Sequence, residues 1–165
     1  PELDAVIMGG EYRPAAGITA LRFMEDEFGP VATPSLAATL SRDPVAMGAL
    51  TMLASRSVPK LWDEWFAESG TPPVVFSRAQ EFEDLLLALG AARSGLGIAL
   101  APRASIEDDL QRGQLVAPYG FIARPSGYSL CCRTPDAKRP AFAALSGWLR
   151  QSGRGKGSFS APTSE

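Results

Sequence analysis

Three features of this 165-residue sequence predict an α/β fold with a buried parallel sheet. Apolar and amphipathic segments alternate from Val74 to Tyr119, as strands and helices do in βαβ units. The apolar segments, such as Ile98–Leu100, are continuous, which is typical of strands buried on both faces. Gly95, Pro102 and Gly113 stand at the junctions between segments, where helices and strands begin or end.

The first helix of this stretch is predicted to begin at Ser77. The apolar run Val74–Phe76 suits a short buried strand, and Ser77 with Gln80 has the spacing of a capping box. Apolar residues then recur at helical spacing, so one face of the helix is expected to be buried. With residues of neighbouring elements, the predicted core comprises Phe82, Leu85, Leu86, Leu89, Ile98, Leu100, Trp65 and Trp148.

A short acidic helix is expected from Ser105 to Gln111, and a further strand begins at Leu115. The consecutive carboxylates Glu107, Asp108 and Asp109 have the composition of a metal or acid–base cluster. Because they share one short helix after a proline, we interpret them as a solvated face that favours the helix N-terminus.

The remaining segments follow the same alternation. Leu3–Met8 is a candidate buried strand that ends at glycines, and ligands gather at the carboxyl ends of parallel strands, although a tight turn is the alternative. Two extended segments, Ile18–Asp26 and Phe28–Thr33, come next. Near the C-terminus we expect a strand over Tyr128–Arg133 and a helix beginning at Pro140.

Composition excludes several classes of function. The formal net charge is −2, so the basic face of a nucleic-acid-binding domain is not expected. Histidine is absent, which excludes Ser-His-Asp and Cys-His catalysis within this chain. The adjacent Cys131 and Cys132 would point to opposite faces of a strand and make neither a disulfide nor a zinc site. No apolar run is long enough to span a bilayer. We therefore expect no enzyme activity, metal, cofactor or membrane contact.

The order of these segments resembles the effector-binding domain of LysR-type transcriptional regulators. The resemblance is carried by a helix ending in a glycine turn, then GIALAP, then a helix containing EDDL, then GQLV, and it extends from Leu3 to Gln151. It implies a two-lobed, type 2 periplasmic-binding-protein-like α/β fold with two crossover segments.

The resemblance also implies how the chain is divided. Residues 1–26 and 128–153 would form lobe one, and residues 34–119 would form lobe two. Residues 154–165, rich in Gly and Ser, are expected to be a disordered tail. The winged helix-turn-helix of a whole regulator is not found in this sequence, nor is the beginning of lobe one, so lobe one is expected to be incomplete.

Effectors of the resembled family are small molecules, often carboxylates, that lie between the lobes. An anion needs hydrogen-bond donors at a helix N-terminus or a cationic side chain. Ser77 is the predicted donor and Arg56 the predicted cation, although a plain helix cap and a solvated loop arginine are the alternatives. The complete set of predicted ligand-binding residues is Met8, Gly9, Gly10, Ser55, Arg56, Ser77, Ala99, Leu100, Pro102 and Tyr128.

The implied function is ligand sensing in a cytoplasmic regulator. The effector would change DNA binding through a winged helix-turn-helix elsewhere in the intact protein, which is expected to be a homo-oligomer. Two alternatives stay open: a solute-binding protein of a transport system, and a regulator fragment that binds no ligand. The EDDL-x-x-G-x-LV pattern and the lack of a visible export signal favour the regulator.

Overall fold

The computed structural model describes residues 3–10 and 13–154 of the chain. The strands are β1 (Val6–Gly10), β2 (Ile18–Val31), β3 (Thr51–Ser55), β4 (Arg78–Phe82), β5 (Ile98–Pro102) and β6 (Ile122–Arg133). The α-helices are α1 (Pro34–Ala37), α2 (Leu61–Ser69), α3 (Leu85–Arg93), α4 (Glu107–Gln111) and α5 (Pro140–Arg154). Short 3-10 helices cover Pro44–Ala49, Arg103–Ser105 and Thr134–Lys138.

The chain divides into two compact units. The first unit contains the described residues up to Asp26 and those from Arg124 onward, and the second unit is Glu27–Ala123. Strands β2 and β6 each contribute residues to both units. The chain therefore passes from one unit to the other within strands. That these units correspond to the two lobes of the resembled domain stays a prediction.

The second unit contains a mixed sheet in the order β2-β5-β3-β4. Strand β3 is parallel to β4 and to β5, as the alternation of strands and helices predicted. Strand β2 is antiparallel to β5, with Phe28 opposite Pro102. The sheet is therefore parallel in the predicted strand–helix–strand stretch and antiparallel at β2, which is not part of such a unit.

Strand β5 is the centre of the second unit's core. Ala99 and Ala101 pack in a cluster with α3, whereas Ile98 and Leu100 pack in a second cluster with the aromatic residues of α2. All four of these β5 residues are buried. This strand is thus covered on both faces, which explains why its apolar run does not alternate.

The predicted strand over Val74–Phe76 and the predicted helix start at Ser77 are both wrong. The strand is β4, which begins four residues later in the sequence. Its side chains are mostly polar and exposed, and it is an edge strand of the sheet. Helix α3 begins at Leu85, and its N-cap is Asp84, whose Oδ1 accepts from the Leu87 N–H at 2.9 Å.

The shift of this helix also changes its buried face. The core predictions for Trp65, Leu89, Ile98 and Leu100 are confirmed, and Phe82 and Leu85 are partly buried. Leu86 was expected in the core, but it is 71% exposed. Trp148 on α5 is also exposed, at 61%.

The first unit contains the strand order β1-β6-β2. Strand β1 is antiparallel to β6, and the glycines expected to end it lie within it, with Gly9 opposite Tyr128 and Gly10 opposite Gly127. The argument from the carboxyl ends of parallel strands therefore does not apply to β1. Both cysteines are buried.

Two expectations concern the ends of elements. No strand begins at Leu115; instead Val116 makes an isolated bridge to Ala32. Arg154, the first residue of the predicted tail, is the last residue of α5, and residues 155–165 lie outside the described residues.

Candidate functional site

The three parallel strands of the second unit end at one edge of the sheet. Ser55 is opposite Phe82 in the pairing of β3 with β4, and β5 ends at Pro102 alongside β3. In α/β sheets, ligands bind outside the carboxyl ends of parallel strands. Ser55, Arg56 and Pro102, which the sequence predicted as ligand contacts, lie at this edge.

A pair of hydroxyl groups follows β3. Ser55 is buried, and its Oγ lies 2.9 Å from the Oγ of Ser57 and accepts from the Ser57 N–H at 3.3 Å. The N–H of Arg56 donates to the carbonyl of Phe82 at 2.9 Å. These bonds fix the turn after β3, so that the exposed residue Ser57 and the buried residue Ser55 form a preorganised polar group.

The guanidinium of Arg56 already has two acidic partners. Its Nη2 lies 2.7 Å from Oε1 of Glu83, and its Nε lies 3.5 Å from Oε2 of Glu81. All three side chains are more than half exposed, so each pair is weak and exchangeable in water. An anionic ligand at Arg56 would therefore compete with these carboxylates.

Ser77 lies at the other end of the sheet. It precedes β4, whose first residue Arg78 is opposite Thr51, the first residue of β3. Its N–H donates to the carbonyl of Gly48 at 2.9 Å, and it caps no helix. Within the second unit, Ser77 therefore does not converge with Ser55, Arg56 and Pro102, contrary to the prediction.

Two of the predicted wall residues belong to the core. Ala99 and Leu100 are fully buried within β5, and only Pro102 at the end of the strand is partly exposed. Any apolar contact from this strand in the described conformation would be made by Pro102.

The four predicted residues of the first unit form a group of their own. A Cβ at Gly9 would lie 2.9 Å from Cε1 of Tyr128, so the phenol ring lies directly against Gly9. Met8 and Gly10 are the neighbours of Gly9 on β1. Burial raises the pKa of the Tyr128 hydroxyl, and the nearby charge of Asp26 raises it further, whereas Arg124 acts in the opposite direction.

Sequence reasoning missed two Arg–carboxylate pairs. In the first unit, Nη1 of Arg124 lies 3.3 Å from Oδ2 of the buried Asp26. In the second unit, Arg93 donates to both carboxylate oxygens of Asp109, from Nε at 2.9 Å and from Nη2 at 2.8 Å. This hydrogen bond raises the pKa of the Arg93 guanidinium.

The Arg93–Asp109 pair corrects the interpretation of the acidic helix. Asp109 is only 8% exposed, and Glu107 is partly buried with its Oε2 3.6 Å from Nε of Arg103. Only Asp108 faces solvent, as was expected of all three. The available signal was helical spacing, since Asp109 follows the buried Ile106 by three residues.

Within residues 3–10 and 13–154, no three or more potential metal-ligating side chains form a group that could hold an ion. None of the helices in the described part of the chain combines the length and the apolar character needed to cross a bilayer. The hydroxyl groups of Ser55 and Ser57 and the guanidinium of Arg56 are polar groups at the carboxyl ends of the strands.

The fold is that of an effector-binding domain of the type 2 periplasmic-binding-protein-like class. The chain belongs to the LysR substrate binding domain family, whose model matches residues 1–154. The family is one of transcriptional regulators, and not of enzymes.

Curated relatives carry the names of regulators. The chain is 34% identical over 156 residues to the HTH-type transcriptional regulator TrpI of Pseudomonas aeruginosa, a match covering 92% of this chain and 52% of the relative. It is 29% identical over 154 residues to the transcriptional activator AmpR of Enterobacter cloacae, covering 89% and 52%. The chain thus spans about half the length of the curated relatives it matches.

Solved structures confirm the predicted fold class. The effector domain of AmpR from Pseudomonas aeruginosa superposes with a TM-score of 0.72 at 29% identity, covering 93% of this chain and 75% of that one. The AmpR effector binding domain from Citrobacter freundii has a TM-score of 0.73 at 22% identity, covering 93% and 76%. The match to effector-binding domains also favours the regulator over the transport protein.

Proposed function

We propose that this chain is the ligand-sensing part of a LysR-type transcriptional regulator. A small-molecule effector binds it, and the intact protein then changes its binding to DNA through a DNA-binding segment outside this chain. The family match over residues 1–154 is the observation that carries the proposal. The relatives, named as HTH-type regulators, support the DNA-binding part.

The carboxyl edge of β3, β4 and β5 is the part of the second unit best suited to contact the effector. Ser55 and Ser57 offer hydroxyl groups held in a fixed turn, and Pro102 offers a partly exposed apolar contact. Arg56 offers a positive charge that the exposed Glu81 and Glu83 share. Ser55 and Ser57 would form hydrogen bonds with neutral polar groups of the effector.

The effector is proposed to carry a carboxylate. Displacing exposed carboxylates from Arg56 costs little, because each such pair contributes only about 0–1 kcal/mol, so a preorganised ligand carboxylate can take their place. Met8, Gly9, Gly10 and Tyr128 of the first unit stay predicted contacts. Ser77, at the other end of the sheet, and the buried Ala99 and Leu100 are not among the proposed contacts. Tyr128 is suited to this role because its hydroxyl stays protonated at neutral pH and can donate.

The intact protein is further proposed to be a cytoplasmic homo-oligomer. The relatives are named as regulators of transcription, which act on DNA inside the cell. The isolated chain should not bind duplex DNA specifically, since its formal net charge is −2.

A thermal-shift screen of the chain tests the ligand proposal. The panel contains aliphatic carboxylates, aromatic carboxylates and amino acids, and at least one of them is expected to raise the melting temperature. Calorimetry then compares the wild-type chain with Ser55→Ala and Arg56→Gln. Loss of a ligand hydrogen bond at either residue should weaken binding by about 1–3 kcal/mol.

Ser77→Ala is the matched control, because it removes the same hydroxyl at the opposite edge of the sheet. Unchanged affinity in Ser77→Ala with weakened affinity in Ser55→Ala supports the carboxyl edge. The reverse pattern would move the contact to Ser77. If the panel produces no shift, and no panel compound alters promoter binding by the intact protein in a gel-shift assay, the proposal of carboxylate sensing fails.

A further inference from the structure

Arg103 contacts both segments through which the chain leaves the second unit. Its Nη1 donates to Oε2 of Glu27 at 3.1 Å, and Glu27 is the first residue of this unit on β2. Its Cζ lies 5.6 Å from the ring centroid of Phe121, which directly precedes β6. One guanidinium thus joins the incoming and the outgoing segment.

The same two segments also meet through their backbones. A Cβ at Gly29 would collide with the carbonyl oxygen of Gly120, so the backbones of the two segments are in direct contact there. Further along, Ala32 and Val116 exchange backbone hydrogen bonds of 3.1 and 2.9 Å. Arg103 adds an ion pair and a ring contact to these main-chain contacts and to the apolar clusters that both segments join.

The environment of Arg103 strengthens this connection. Its side chain is 25% exposed and that of Glu27 is 34% exposed, so solvent screens this pair less than a fully exposed one. Oε2 of Glu107 lies 3.6 Å from Nε of Arg103 and adds a second negative charge. A planar guanidinium can lie over a ring while its edge donates to carboxylates, which a lysine ammonium cannot do.

We infer that Arg103 is a positioning residue that holds residues 27–33 and 116–123 together within the second unit. The inference concerns the chain without ligand and does not rest on the proposed function. Arg103 directly follows Pro102, so the same side chain also fixes the end of β5, where the effector is proposed to bind.

Hydrogen exchange measured by mass spectrometry tests this inference on the chain and its variants Glu27→Gln and Arg103→Gln. Amides of the two segments are expected to exchange roughly threefold to tenfold faster in either variant, because a local opening loses a partly buried ion pair. Amides of Thr51–Ser55 should be unchanged. Combining the two substitutions should add little to the larger single effect, because both remove the same interaction.

Asp109→Asn is the matched control, since it weakens another Arg–carboxylate pair of the second unit. It should speed amide hydrogen exchange near α3 and α4 and leave exchange in residues 27–33 and 116–123 unchanged. Arg103→Lys keeps the charge and should give an intermediate effect. The inference is overturned if Glu27→Gln and Arg103→Gln leave the two segments unchanged or accelerate exchange evenly over the whole unit. It is also overturned if Asp109→Asn loosens the segments equally.

Discussion

The second unit has apolar clusters on both faces of strand β5, whereas the first unit has one smaller cluster of buried residues. Trp65, Leu89 and Leu100 in the second unit are almost fully buried. The first unit has a smaller core of Leu130, Cys132, Phe142 and Leu149. Several of its large apolar side chains are exposed, namely Leu3, Val6, Ile7, Leu145 and Trp148. Apolar spacing therefore predicts burial only where another element covers that face.

The largest expected effect is a cavity in the second unit. Leu89→Ala should lower the free energy of unfolding by about 2–5 kcal/mol, because Leu89 is fully buried between α3 and the sheet. Urea unfolding followed by circular dichroism measures the loss. Leu86→Ala in the same helix is the control and should change stability by less than about 0.5 kcal/mol. Equal losses in both variants would contradict the described burial of α3.

A smaller effect is expected from the ion pair behind α4. Asp109→Asn should cost about 1–3 kcal/mol, because the Arg93 guanidinium loses a bidentate partner that is mostly buried. Asp108→Asn, at the exposed neighbouring position, should be close to neutral. Thermal melts of the two variants provide the measurement. If neither substitution changes the melting temperature, the Arg93–Asp109 pair does not stabilise the fold, and the first interpretation of α4 as a solvated face is restored.

The difference between the units should also appear as an order of opening. Both cysteines lie buried in the first unit, whereas Trp62 and Trp65 report on the second. Burial raises the pKa of both thiols, so they should react slowly with a thiol reagent at pH 8 while the chain is folded. In a Trp148→Phe variant, the midpoint of thiol labelling should fall about 0.5–1 M urea below that of tryptophan fluorescence.

Coincident midpoints would show that the two units unfold together. The Trp148→Phe substitution serves only to remove the fluorescence of the first unit, and the exposed position of Trp148 makes the change a mild one. A control with Cys131→Ser and Cys132→Ser made singly assigns the labelling signal to each thiol.

The smallest effect concerns alkaline pH. The folded pKa of Tyr128 is raised above that of the unfolded chain, so its contribution to stability is complete below pH about 10 and is lost as the pH rises through the folded pKa. Wild-type stability should therefore fall above pH 10 more steeply than that of Tyr128→Phe. Melting curves from pH 8 to pH 11 provide the comparison. If the melting temperatures of the two proteins fall equally with pH, the phenol of Tyr128 does not have a raised pKa in the folded chain.

Much of the fold could be predicted from the sequence because local signals and packing agree there. The continuous run Ile98–Leu100 and the core prediction for Trp65 were both correct for the centre of the second unit. Between Val74 and Asp84, two signals competed. The apolar run Val74–Phe76 predicted a strand, and Ser77 predicted a helix cap. In the structure, the segment Arg78–Phe82 pairs with β3 instead, and Asp84 caps α3.

The site was less predictable for a related reason. Whether a residue lies at the amino or the carboxyl end of a strand depends on where the strand begins. Because β4 begins at Arg78 and not at Val74, Ser77 lies at the amino end of β4 and not at its carboxyl end. The partners of Arg56 and Asp109 come from other elements, so no local pattern identifies them. The turn after β3, in contrast, follows its strand directly, so its residues lie at the carboxyl end of that strand.

Position 29 has a consequence for the genetics of this protein. Every amino acid that a missense change in a glycine codon can encode carries at least a Cβ, and a Cβ at Gly29 collides with the backbone of Gly120. The backbone of Gly120 cannot move aside as the end of a flexible side chain can, so even the smallest substitution, Gly29→Ala, should disrupt this contact. The turn glycine Gly70 has open space around it and is limited only by its positive φ. In a saturation library selected for function, codon 29 should therefore return glycine alone, while codon 70 should still return asparagine.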